Sequence, residues 1–282
     1  MAVALVLDFD GTMTDAEAEG RPFREGYLED LALLTGASID DVTRIADEVE
    51  DELAKAPASH PFLWMGRPVA PATVDPYLRM VPVAHRILDR YKAIPSAEDR
   101  GRLLGSVLYK YNYAKTLGHP VFRAGAGEML AKLGGSLTWI VTNSDTHAVA
   151  GKVAALDRDA PGVAWLTSRV RGFARKFDVD DAWTGAPGEM TIPGLDRAVL
   201  LRRRNYFDIL ADVVKEAGSS FEELVVVGDI FELDLALPLS LGARVGLVTS
   251  SRTPAYERAF VTAHPRASLI DELAEIPAFA FG

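Results

Sequence analysis

Four short, mostly apolar blocks punctuate the chain: Val3 to Leu7, Leu137 to Val141, Leu224 to Val227 and Arg244 to Val248. Each is rich in Val, Ile or Leu and too short for an ordinary helix, the pattern of strands buried on both faces in a parallel sheet. The first three run straight into polar clusters. Helical stretches lie between them, among them Gly127 to Leu133 and Tyr206 to Ala217, the latter with Asn205 as N-cap and Gly218 as stop. This alternation predicts an α/β core, a doubly wound and mainly parallel sheet.

The interval between the first two blocks exceeds what one crossover helix needs. From about residue 16 to 120 the sequence turns helical and charged, with segments at Tyr27 to Leu34, Ile39 to Leu53, Tyr77 to Tyr91 and Arg100 to Leu117 and a proline-rich middle from Pro57 to Pro82. A structureless loop of that length does not suit a compact domain. Residues 16–120 are therefore expected to form a mainly α-helical domain inserted into a core of residues 1–15 and 121–282. A smaller excursion at about 157–199 is rich in Gly and Pro and contains GVAWL and RVRGFARKF, which predicts an irregular or β-rich insertion.

The polar clusters at the strand ends carry the chemistry. Side chains on a strand alternate faces, so Asp8 and Asp10 share one side while Phe9 packs on the other. Both emerge just before Gly11-Thr12, at the edge where open α/β sheets bind ligands. Like charges this close raise each other's pKa unless a cation or shared proton offsets them, which points to a metal or an acid-base role. The second block ends in Thr142-Asn143-Ser144, a hydroxyl and an amide at a helix N-terminus, where an anion can be bound.

The third block ends in Gly228-Asp229 and continues through Glu232 to Asp234, closely spaced oxygen donors suited to Mg²⁺. The Asp229-to-Glu232 spacing is also that of a capping box. Upstream stand Arg202, Arg203 and Arg204. With Asn205 as cap of the following helix, Arg203 lies just outside its N-terminus, placed to hold Asp8 ionised and to bind a phosphoryl oxygen.

Composition narrows the partners. Of 282 residues 49% are apolar, enough for a sizeable core, and 30 basic against 40 acidic residues give a formal charge of -10. That balance argues against nucleic acid or an anionic membrane as partner and leaves a small anion, provided local cations supply a field. There is no cysteine, hence no disulfide, thiolate metal site or thiol nucleophile. The first apolar run lacks a basic flank and is broken by Asp8, which argues against a signal peptide. No apolar stretch approaches the roughly 20 residues of a membrane span. A cytoplasmic protein of open oligomeric state is expected.

In order along the chain, D-x-D-G-T, the strand-end T-N, a basic residue before a helix and G-D-x-x-x-x-D resemble the motifs of the haloacid dehalogenase-like (HAD) hydrolase superfamily. The resemblance spans residues 1–15 and 122–282, and the helical insert stands where capped members of that family carry their cap. It implies a Rossmann-like core, Mg²⁺ as cofactor and a small phosphorylated metabolite as substrate. It further implies Asp8 as the nucleophile that becomes an aspartyl phosphate, and Asp10 as the acid for the leaving oxygen and then the base for water. Thr142 would bond a phosphoryl oxygen, with Asn143, Gly11 and Thr12 beside the substrate. The metal would be held by the Asp8 carboxylate, the Asp10 backbone carbonyl, Asp229 and Asp234.

The third motif of that family is a lysine or arginine, familiar as lysine-proline. Here Arg203 fits best by the capping argument, with Arg202 and Arg204 one residue away and Lys176 a less favoured substitute. Arg21, Arg24, Tyr27, Arg67, Lys110, Lys115 and His119 of the insert are left without a role. Asp10 favours a phosphoester over a 2-haloacid, because an alkoxide needs a proton on leaving and a halide does not. Sugar phosphomutases use the same motifs, phosphonatases add a cap lysine such as Lys110 or Lys115, and a binding module can keep the fold without turnover.

Overall fold

The computed structural model describes residues 2–117 and 120–282; His119 lies outside them. Its strands in chain order are β1 (Ala4–Leu7), β2 (Pro61–Trp64), β3 (Arg67–Pro71), β4 (Thr138–Val141), β5 (Val170–Arg171), β6 (Glu189–Met190), β7 (Val199–Leu200), β8 (Leu224–Gly228), β9 (Arg244–Val248) and β10 (Ala267–Ile270). Six of them form one sheet in the order β10-β9-β8-β1-β4-β5. Every pairing in it is parallel, and β1 lies inside, Leu5 facing Thr138 on one side and Val225 on the other.

The apolar blocks are apolar throughout because both faces of the sheet are covered. All residues of β1, β4 and β8 are buried. Leu5, Leu7, Ile140, Val225 and Val227 join Ala126, Met129 and Leu130 of helix Ala126–Lys132 and Val149 and Val153 of helix Thr146–Asp159 in one core. The helix Arg204–Ala217, with Tyr206, Leu210 and Val213 buried, packs against β1. This is the expected doubly wound, Rossmann-like α/β arrangement.

Two local expectations need correction, and a third is narrowed. The helix expected from Tyr206 begins at Arg204, so Asn205 lies in its first turn and Arg203, without a side-chain cap bond, is its N-cap residue; Gly218 ends it at φ 61°. The excursion at 157–199 takes the irregular of its two expected forms. Its first residues belong to helix Thr146–Asp159, GVAWL runs into a 3-10 turn at Ala164–Arg169, and the strands that touch it have two residues each. The expected helix from Arg100 to Leu117 is broken into Ala97–Gly101, a π-helical stretch Arg102–Leu108, Tyr109–Tyr113 and a 3-10 turn Ala114–Thr116.

The chain divides into two compact units: Met1–Asp15 with Leu63–Ala70 and Phe122–Gly282, and Ala16–Phe62 with Pro71–Val121. The proline-rich middle thus lends its hairpin tip to the α/β unit. There Trp64 Nε1 donates to Asp178 at 2.8 Å, and Arg67 forks onto Asp181.

The second unit packs helices Ala16–Thr35, Ile39–Lys55 and Pro76–Arg90 around Phe23, Leu31, Val42, Val49, Val83 and Ile87. Ser38 caps the second of these helices and Asp75 the third. Arg24 pairs with Asp47 and Glu50, Tyr27 donates to the Leu104 carbonyl, and Lys115 lies over the Tyr111 ring.

Candidate active site at the strand ends

β1 delivers Asp8 to the carboxyl edge of the sheet, where the chain turns sharply at Gly11, φ +86°. A side chain at Gly11 would be strained in that conformation, and its Cβ would run into the Asp229 carboxylate. The turn brings Thr12 back over the strand end. Its hydroxyl lies 3.0 Å from both Asp8 Oδ2 and Asp229 Oδ1. Arg123 fixes the turn from outside by donating to the Gly11 carbonyl at 2.8 Å.

The other oxygen of Asp8 accepts from Lys176 Nζ at 2.6 Å, and the same ammonium donates to Asp234 Oδ1 at 2.8 Å. Lys176 is 1% exposed and lies 5.3 Å from the Tyr206 ring centroid. Burial opposes its charge, but Asp234 and Asp8 more than offset this and hold the ammonium above its ordinary pKa. Burial pushes the Asp8 carboxyl up to about 7, with Lys176 acting against the shift and Asp234 adding to it. Asp229 is raised well above the usual carboxylate range by burial and by Asp8 and Asp234.

The basic partner of Asp8 is therefore Lys176, not Arg203. Arg203 is fully buried and spends its guanidinium on backbone carbonyls: Leu200 at 3.0 Å, Val69 at 3.0 Å, and Lys176 itself. Burial lowers its pKa to about 10 against the pull of Glu232 and Asp234. Arg202 donates to the Asp181 carbonyl and Arg204 pairs with Asp208, so neither reaches Asp8. Asn143 serves the lysine as well, its Oδ1 accepting from the Lys176 backbone N–H at 2.7 Å.

Asp10 forms a separate station. Its Oδ2 accepts from Thr142 Oγ1 at 3.1 Å and Ser144 Oγ at 2.7 Å, and Lys152 Nζ lies 3.4 Å from Oδ1. The Thr142 hydroxyl also accepts from the Ser144 N–H. Thr142 and Asn143, expected beside the substrate, thus orient an acid and a lysine here. Ser144 and Lys152 enter from helix Thr146–Asp159 and the turn before it. The polar triplet at the end of β4 signalled Ser144, whereas Lys152 has no motif to mark it.

Asp8, Asp229 and Asp234 each offer one oxygen, all within 4.8 Å of one another. Three hard oxygen donors, one of them, Asp229, met by a single hydroxyl among the described residues and repelled by two acids, fit Mg²⁺. The Asp10 carboxylate is not in this group; its backbone carbonyl is the part that the expectation assigned to the metal.

A buried pair lies at the loop that follows β8. Arg197 forks onto Glu232 with both bonds at 2.7 Å, and Glu232 is 0% exposed. Neither oxygen of the nearby buried Glu257 has a hydrogen-bond partner among the described residues; burial, then Glu232, raises its carboxyl well above the usual range.

No family model matches this sequence, and no curated protein does. Solved structures do match over the whole chain. A predicted phosphoglycolate phosphatase from Haemophilus somnus is 16% identical with a TM-score of 0.55, covering 98% of this chain and 97% of its own. A haloacid dehalogenase-like family hydrolase from Streptococcus pneumoniae is 14% identical, TM-score 0.53, covering 99% and 98%. YfnB from Bacillus subtilis, solved bound to magnesium, is 16% identical, TM-score 0.53, covering 100% and 99%.

Proposed function

We propose, from the haloacid dehalogenase-like fold that this chain has, that it is a Mg²⁺-dependent phosphomonoesterase acting on a small phosphorylated metabolite through an aspartyl phosphate on Asp8. The observation that carries the reading is the division of labour between two acids on one strand end. Asp8 is tied to Lys176, Thr12 and the metal-type acids, whereas Asp10 is tied to two hydroxyls and pairs with a second lysine, Lys152. The magnesium-bound structure of YfnB supports the choice of metal for this fold.

Asp8 is the nucleophile. Lys176 and Thr12 fix its two oxygens and favour the ionised form that attacks phosphorus. As the ester P–O bond breaks, Asp10 gives its proton to the leaving oxygen, and it then takes one from the water that attacks the aspartyl phosphate, releasing phosphate and free Asp8. Thr142 and Ser144 hold the Asp10 carboxyl in one orientation for both transfers. Mg²⁺ on Asp8, Asp229, Asp234 and the Asp10 carbonyl would offset charge on the transferring group.

Phosphate release from an aryl phosphate, with and without Mg²⁺, tests this. Wild type is expected to need the metal, and Asp8→Asn to fall to background with its fold intact. Asp10→Asn is expected to lose about 10²–10⁴-fold on alkyl phosphates and less on aryl phosphates with good leaving groups. Full activity in Asp8→Asn would overturn the mechanism.

A further inference from the structure

We infer that Arg197 is a positioning residue for the divalent-cation site, holding the loop that carries Asp229 and Asp234 through its fork onto Glu232; the inference rests on the metal-dependent reading above. Glu232 lies between the two acids on that loop, in the π-helical turn Phe231–Leu235, and is completely buried. A shift of its side chain moves the backbone on which both acids stand. Among the described residues Arg197 is the one cation in hydrogen-bond contact with it, through two parallel bonds that fix direction as well as charge.

The segment that supplies Arg197 is built around the same loop. One end of it is Lys176, five residues beyond β5, whose ammonium bonds Asp234 Oδ1. Its other end is Arg203, which bonds the Lys176 carbonyl, followed in the next helix by Tyr206, whose hydroxyl donates to the Asp234 carbonyl at 2.7 Å. Between these ends, Ile192, Leu195, Val199 and Leu201 are buried, so the segment is packed rather than loose, and Arg197 reaches the loop from its interior. Asp234 thus has anchors of its own, including the Ile230 N–H at 3.0 Å, whereas Glu232 has Arg197. Removing Arg197 leaves the buried Glu232 carboxylate without its ion-pair partner among Asp229, Asp234 and Glu257, with Arg203 the remaining nearby cation but one whose guanidinium is bonded to carbonyls, and the loop relieves this by turning Glu232 toward water.

Calorimetric titration of the full chain with Mg²⁺ reads the effect without substrate. Arg197→Met is expected to weaken Mg²⁺ binding about 10–100-fold, the range for a residue supporting metal ligands. Arg197→Met with Glu232→Gln is expected to recover part of that loss, because the uncompensated charge is gone. Arg197→Lys, which keeps charge but cannot fork, is expected to fall between wild type and Arg197→Met. Should Arg197→Met fail to fold by circular dichroism, Arg197→Lys and the double variant carry the test. Wild-type affinity in folded Arg197→Met or Arg197→Lys, or no recovery in the double variant, would overturn the inference alone. Wild type that binds Mg²⁺ yet hydrolyses no phosphoester would overturn only the phosphatase reading, and wild type that binds no Mg²⁺ would overturn both.

Discussion

Asp8 is under two opposing influences. Burial makes its proton hard to remove, while an ammonium 2.6 Å away favours the carboxylate, and the balance stands at about 7. A cation that binds there must displace whatever proton the group holds. Below about 7 the metal-free Asp8 is protonated and competes with the metal; above it the carboxylate is free. Apparent Mg²⁺ affinity is therefore expected to weaken at least about tenfold per pH unit on the acid side and to level off on the alkaline side, since each proton displaced contributes one decade per unit. Asp229, raised well above the usual carboxylate range by burial and by Asp8 and Asp234, is a second group whose proton the metal must displace. Calorimetry at a series of pH values checks this, and an affinity flat through neutrality would show that Asp8 does not exchange a proton for the metal.

The elements differ in how openly the sequence announces them. Asp75 caps helix Pro76–Arg90 by accepting from Tyr77 N at 2.8 Å and Leu78 N at 3.0 Å. Asp75→Ala should lower stability by about 1 kcal/mol in denaturant unfolding, with catalysis unchanged. The cap was not read from the sequence, whereas the long helices of the second unit are visible as patterns. So are β1, β4, β8 and β9, because two-sided burial leaves a continuous apolar run. β5 has two residues and β10, ASLI, is only partly buried, so neither carries that signal. Lys176 was harder still: it sits on an irregular stretch, and only the chain's return past Arg203 places it under Asp8. The three arginines misdirected the capping argument because a cation near a helix start need not face the acids. Arg203 instead faces three carbonyls, a contact determined by tertiary packing.

On the scale of the whole molecule, the two units have separate hydrophobic cores. No helix among the described residues is long and apolar enough to cross a membrane. The proposed metal ligands all belong to the α/β unit, so Mg²⁺ at 100 times its Kd should add about 2.7 kcal/mol to that unit's resistance to opening. Amide exchange by mass spectrometry should show slower exchange around Asp8 and residues 229–234 and no change in helices Ala16–Thr35 and Pro76–Arg90. Equal protection in both would mean that the two cores open together. The strand order has a consequence for synthesis. β1 is made before its partners, yet Leu5 must wait for Thr138 on one side and Val225 on the other. On the ribosome, a chain stalled after Lys176 therefore carries β1, β4 and β5 but not β8, so Asp8 and its lysine exist before Asp234, the second acid that the lysine bonds.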